Sequence, residues 1–164
     1  MSAPQPPTFP SPETDRHFMR RALRLARAAA ARGEVPVGAM VVRDGIVVGA
    51  ASNRVEKSRD AAAHAELLAL RQAAHGLGSW RLQGATLYVT LEPCPMCSGA
   101  ILLARVDRVV YGADDPKKGA FRSAYDVLGS RAGNHRPVVL PGCEAESAGL
   151  VLKAFFQQLR SRSS

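Results

Sequence analysis

Asp60-Ala-Ala-Ala-His64-Ala-Glu66 and Pro93-Cys94-Pro95-Met96-Cys97 are the stretches around which this chain reads. His64, Cys94 and Cys97 are borderline-soft donors that suit zinc. A catalytic zinc takes three protein ligands and keeps its fourth position open for water. Asp60 is a good N-cap, so residues 61–75 read as a helix closed by Gly76. Pro95 suits the first helical position, with residues 96–105 continuing behind it. Cys94 and Cys97 lie roughly 60° apart around a helix, so both thiolates can grip one ion. His64 and Glu66 lie roughly 200° apart, so they cannot share a lateral face. The ion is therefore expected off the helix's N-terminal end, with His64 touching it and Glu66 touching what it binds. Two helix N-termini aimed at one point also favour thiolate.

Each half has a blander reading. A lone CxxC is often a structural zinc knuckle or a redox pair, and a lone His on an Ala-rich helix is usually packing. The order and spacing of the whole set select the catalytic reading.

The rest of the chain fits around this centre. At 164 residues it has room for one domain with a continuous core. Residues 1–12 hold five of the eleven prolines and read as a disordered tail, followed by a single domain at 13–164. No apolar run reaches the length of a membrane span, and no apolar signal core opens the chain. Three cysteines give no disulfide framework and suit a reducing cytoplasm, with Cys143 incidental. A net charge of +8 points to a polyanionic partner, nucleic acid ahead of membrane.

Residues 13–31 read as a helix with Phe18, Ala22, Leu25 and Ala29 as its core stripe. Arg16, Arg20, Arg24 and Arg27 fall opposite, as a solvated face or an RNA-contacting one. Residues 37–42 and 46–52 form a hairpin around Asp44-Gly45. Asn53, just after it, is a turn former or a substrate contact. Residues 76–84 read as a loop carrying Trp80. The buried strand at 85–91 runs into Glu92-Pro93-Cys94, where ligands sit at the carboxyl end of a strand. A strand at 108–112, a polar loop at 113–120 and a short strand at 138–140 follow. A last helix at 144–160 has Leu150, Phe155 and Leu159 among its buried side chains. Alternating strands and helices give an α/β class with a helix-covered sheet.

With these residues placed, the chain resembles the bacterial tRNA adenosine deaminases, which convert wobble adenosine to inosine. The spacing H-x-E followed by P-C-x-x-C is the signature of zinc deaminases. Glu34-Val-Pro-Val-Gly-Ala39 and Thr86-Leu-Tyr-Val-Thr-Leu-Glu-Pro-Cys94 add to it. So do Tyr111-Gly-Ala-Asp-Asp-Pro-Lys117, Asn134-His-Arg136 and Phe155-Phe156. The resemblance implies a cytidine-deaminase-like fold, a three-layer α/β/α sandwich with a central mixed five-stranded sheet. It also implies a cytoplasmic homodimer, one zinc per subunit, no organic cofactor, and the tRNA anticodon stem-loop as partner. By position, His64, Cys94 and Cys97 become the ligands and Glu66 the proton shuttle. Asn53 becomes a contact to the flipped nucleoside, and Asp115 and Lys117 part of a loop touching anticodon nucleotides. Phe121-Arg122 stand where the family carries smaller residues. Two rivals are a free-base or nucleotide deaminase with the same metal box, and a non-catalytic zinc RNA-binding module. Excess positive charge weighs against the first, and the missing fourth ligand against the second.

Overall fold

The computed structural model describes residues 9–129 and 133–163. Five strands form one mixed sheet: β1 (Gly38–Arg43), β2 (Ile46–Ser52), β3 (Ala85–Leu91), β4 (Arg108–Ala113) and β5 (Val138–Leu140). Their order is β2-β1-β3-β4-β5. β1 runs antiparallel to both neighbours, whereas β3, β4 and β5 are mutually parallel. Asp44 and Gly45 both take positive φ, 52° and 74°, which matches the twist of the hairpin they close. A register shift between Val41 and Val42 interrupts that pair.

Five helices surround the sheet: α1 (Pro12–Ala31), α2 (Val55–Ser58), α3 (Ala65–Leu77), α4 (Pro95–Leu103) and α5 (Ala145–Arg162). Strand alternation decides which layer each covers. Ala39, Val41, Leu87, Val89, Val109 and Tyr111 point into the larger core, packed by α3 and α4 through Ala69, Leu70, Ala73 and Ile101. Met40, Val42, Tyr88 and Val110 point the other way, against Phe18, Met19 and Ala22 of α1. α5 lies on the α1 side, over β4. The expected α/β/α sandwich with a mixed five-stranded sheet is what forms. Backbones approach closely at Gly38 and Gly49, where a β-carbon would run into the carbonyl oxygens of Ala22 and Ala69.

A buried ion pair fastens α1 to the sheet. Asp15 accepts from the Tyr88 hydroxyl at 2.8 Å and from Arg108 Nη1 at 2.7 Å, with a second Arg108 contact to its other oxygen. Removing one partner of such a pair costs about 3–5 kcal/mol, because the other is left charged and buried.

Several boundaries differ from expectation. α3 begins at Ala65 with His64 as its N-cap, not behind Asp60. The Asp60 carboxylate instead accepts from Ala62 N at 2.8 Å, a local turn that competes with helix initiation. At the other end Gly78, with φ 63°, closes the helix, and Gly76 lies within it. α4 stops at Leu103, short of Arg105, which takes φ 59°. α5 buries Phe155 and Ala148, but Leu150 is 58% exposed and Leu159 42%, so the expected burial of these two leucines is wrong. The sheet face on that side is already largely covered by α1, and α5 packs beside it, chiefly over β4. Leu25 is only partly buried. Of the tail expected at 1–12, residues 1–8 lie outside the described residues. Its end is helical: Ser11 accepts from Thr14 N at 3.2 Å and Pro12 takes the first helical position.

Candidate metal-dependent active site

Two chain corners meet at the carboxyl end of β3. In one, β3 ends at Leu91 and Glu92-Pro93-Cys94 lead into α4, with Cys94 as N-cap. In the other, residues 59–63 turn into α3, with His64 as N-cap. Neither cap residue spends its side chain on its own helix. Both are extended, at φ −73°, so the thiol and the imidazole project past the helix ends. His64 Nδ1 lies 3.7 Å from Cys94 Sγ and 3.5 Å from Cys97 Sγ. All three donor atoms fall within 4.8 Å of one another. The donors therefore converge off the N-terminal end of α3, as the spacing required.

These residues fit a zinc ion. A tetrahedral zinc with Zn–S of about 2.3 Å and Zn–N of about 2.0–2.1 Å separates nitrogen from sulfur by about 3.6 Å. The two separations, 3.7 and 3.5 Å, bracket that value. The electrostatics agree. A hydrogen bond from Cys97, then one from His64, draws the Cys94 thiol down to about 4, and the same Cys94 contact with burial pushes Cys97 up. His64 is raised, first by its Cys94 hydrogen bond. Thiols and imidazole share protons here that a divalent cation would displace.

Glu66 stands in the first turn of α3 and is 4% exposed. Its Oε2 has no hydrogen-bond partner, one of two such buried side-chain atoms among the described residues. Burial raises its carboxyl to about 7, against a smaller opposing effect from its own backbone amide and from His64. A buried, unpartnered carboxylate oxygen beside a metal-type donor set marks Glu66 as a candidate functional group.

Asn53 follows β2 and is buried, its backbone N–H donating to Val37 O at 3.0 Å. The next amide, of Arg54, donates to Ala63 O at 3.0 Å, which sets Asn53 beside the segment entering His64. Asp115 and Lys117 lie in the polar loop after β4. Asp115 Oδ1 accepts from Lys117 N at 3.0 Å and Lys118 N at 3.2 Å, holding the turn, while the Lys117 side chain is exposed.

Two carboxylates that the sequence motifs contain without a role, Glu92 and Glu34, take structural ones in the fold. Glu92 is 1% exposed and gathers the whole 115–123 loop. Its Oε1 accepts from the amides of Phe121, Arg122 and Ser123 at 3.2, 2.9 and 3.1 Å. Its Oε2 accepts from Asp115 N at 3.0 Å and from the Ser123 hydroxyl. Burial alone would raise its carboxyl, but Ser123 and the amides outweigh that and hold it below its ordinary value. The available signal was a Glu ending an apolar strand, a position where burial demands partners. Glu34, also 1% exposed, accepts from Glu56 N at 3.2 Å and Lys57 N at 2.8 Å, fixing α2 next to Asn53. Phe121 enters the core, and Arg122 pairs with Asp114 through two nitrogens at 3.1 and 2.9 Å. The larger residues at 121–122 thus have places of their own.

The chain is similar to known proteins. A family model described as MafB19-like deaminase matches residues 13–160. A tRNA-specific adenosine deaminase of Bacillus subtilis is 45% identical over 148 residues, covering 90% of this chain and 92% of that protein. A structure from studies of A-to-I editing by tRNA:A34 deaminases superposes with a TM-score of 0.81 at 46% identity. That match covers 83% of this chain and 99% of the other. A guanine deaminase from Nitrosomonas europaea superposes at 0.72 with 28% identity, over 93% of this chain and 88% of its own. The match runs from α1 into the last turns of α5 and includes both corners where the donors meet, so the chain belongs to the MafB19-like deaminase family.

Proposed function

We propose that this chain, a single domain over residues 13–164, hydrolyses the wobble adenosine of tRNA to inosine. It works as a cytoplasmic homodimer with one zinc per subunit and no organic cofactor. The carrying observation is the buried Glu66 carboxyl, whose Oε2 has no hydrogen-bond partner, beside the His64, Cys94 and Cys97 donors. The tRNA-specific relatives at 45–46% identity supply the substrate class, ahead of the guanine deaminase at 28%.

Zinc held by these three residues would lower the pKa of a water to about 7, making hydroxide available near neutral pH. The remaining work falls to the protein. Glu66, held by burial near 7, takes the proton of the attacking water and delivers it to the purine ring nitrogen. With the water oxygen bonded to carbon six, Glu66 takes the second proton from that new hydroxyl and passes it to the amino group. The bond from that group to carbon six breaks to release ammonia, so one water is consumed for each inosine made. Asn53 holds the flipped nucleoside, and the loop bearing Asp115 and Lys117 meets the neighbouring nucleotides. A single-stranded anticodon loop suits this, since a base there leaves its stack at lower cost than in a duplex. α4 has no charged residue and exposes Met96 and Leu103, an apolar face suited to a second copy.

The test incubates the zinc-loaded protein with anticodon stem-loops and, separately, with free guanine, cytosine and adenine. Inosine at the wobble position is expected. Turnover of a free base with the stem-loop untouched would overturn the substrate assignment and leave the zinc chemistry.

A further inference from the structure

β2 is an edge of the sheet, and a groove of about 760 Å³ runs along it between α1 and α3. Arg32, Arg54, Lys57, Arg71 and His75 line it, with no acidic side chain among the lining residues. Arg54, Lys57 and Arg71 enter no ion pair among the described residues, and Arg32 is held by Ser52 Oγ at 2.7 Å. Gln72 Oε1 accepts from Ala50 N at 3.0 Å, so the strand edge is blunted there against an added peptide strand.

Arg54 ties the lining of the groove to the segment that enters the active site. Arg54 follows Asn53 directly, and its amide bonds to the residue before His64. From His64 to His75, α3 extends about 17 Å at 1.5 Å per residue, enough for several nucleotides of a strand leaving the pocket. Three unopposed cations, Arg54, Lys57 and Arg71, with Arg32 beside them, match a phosphate backbone.

The second basic region differs. Glu13, Arg16, His17, Arg20 and Arg24 line a smaller depression on α1, but it contains an acid, and Arg20 is already paired with Glu144 at 2.9 Å. It also lies on the outer side of α1, in the helix layer opposite the one carrying His64 and Cys94.

We propose that the β2-edge groove is the phosphate track for the RNA strand that continues from the active site, with Arg54, Lys57 and Arg71 as its contacts. The inference rests on the tRNA reading above and adds the path of the strand.

The experiment titrates a fluorescent anticodon stem-loop with the zinc-loaded protein at two salt concentrations. It compares the wild type with Arg54→Ala/Lys57→Ala/Arg71→Ala and with Arg16→Ala/Arg24→Ala/Arg27→Ala, which removes the same charge from α1. The groove variant is expected to bind at least about tenfold more weakly at low salt. Its log–log salt slope should be shallower by about 2, near 0.7–0.9 per lost phosphate contact. The α1 variant should stay within about twofold of wild type, and Arg54→Lys/Arg71→Lys should keep the wild-type slope. All replaced residues are exposed, and thermal melting checks that each variant is folded. Equal losses in the two triple variants, an unchanged slope in the groove variant, or no stem-loop binding by wild type would overturn the track. A groove-dependent slope without any inosine would leave the track standing and sink the deaminase reading instead.

Discussion

Glu66 and Glu92 are both buried glutamates within two residues of a metal-type donor, and they behave oppositely. Glu66 has an oxygen with no partner and a carboxyl raised to about 7. Glu92 receives four amides and a hydroxyl and is held below its ordinary value. Burial is common to both, so burial does not set the role. The number of donors the fold supplies does. Glu66 is left with an oxygen that has no partner, as the proposed proton shuttle requires, while Glu92 is saturated and acts as the hub of the 115–123 loop.

The strongest way to break this contrast is to remove each carboxylate in turn. Glu66→Ala should lower kcat by at least about 10²–10⁴-fold while the variant keeps one zinc and wild-type stem-loop affinity. Metal analysis and a binding titration check it, and loss of zinc would make Glu66 a ligand and not a shuttle. Cys94→Ala should lose metal and turnover together, and chelation followed by added zinc should remove and restore activity in wild type. Active protein without zinc would dismiss the His64, Cys94 and Cys97 assignment.

Glu92→Ala should act on structure before chemistry. Of the four amides it strands, those of Arg122 and Ser123 belong to exposed residues. The other two cost about 1–3 kcal/mol each when unsatisfied, so a loss of about 2–6 kcal/mol in unfolding is expected. Hydrogen exchange should speed up at residues 121–123, and KM should rise more than kcat falls. Unchanged exchange in the loop would show that Glu92 is not its hub.

pH sharpens the comparison further, because the two groups carry opposite signs in the metal-stripped protein. For Glu92 the folded pKa lies below the unfolded one. Its stabilisation is present above the ordinary carboxylate value and is lost as pH falls through that range. For Glu66 the folded pKa, about 7, lies above the ordinary 4.5, so its contribution declines as pH rises between those two values. Denaturant unfolding of Glu66→Gln should flatten the decline between about pH 4.5 and 7 and leave the acid limb, and Glu92→Gln should do the reverse. The smallest effect belongs to Cys143, raised to about 11 by burial and by Asp15. Cys143→Ala should leave zinc content and turnover unchanged, and the wild-type thiol should react slowly with alkylating reagents at neutral pH.

What could be read from the sequence was whatever depends on neighbours along the chain. The Asp44-Gly45 turn, the bounds of β3 and the short β5, and the His64, Glu66, Cys94 and Cys97 spacing all follow from local dihedral preference and side-chain period. The convergence of His64 with the two cysteines was also legible, because a residue at a helix start can reach only outward from its end. Local rules failed where two local solutions competed: Asp60 closed its own turn and left the cap to His64. They failed again on α5, where helical period alone could not say how little of that surface the sheet would cover.

Tertiary structure alone decided the rest. Glu92 takes its partners from positions 23 to 31 residues away. Glu34 reaches 22 and 23 residues to hold α2 beside Asn53. The β2-edge groove joins α1, the segment after β2 and α3, which no window of sequence contains. A hydrogen-bond hub or a groove is defined by groups whose contacts form only after the sheet order is set, and the chain's local preferences carry no record of that order.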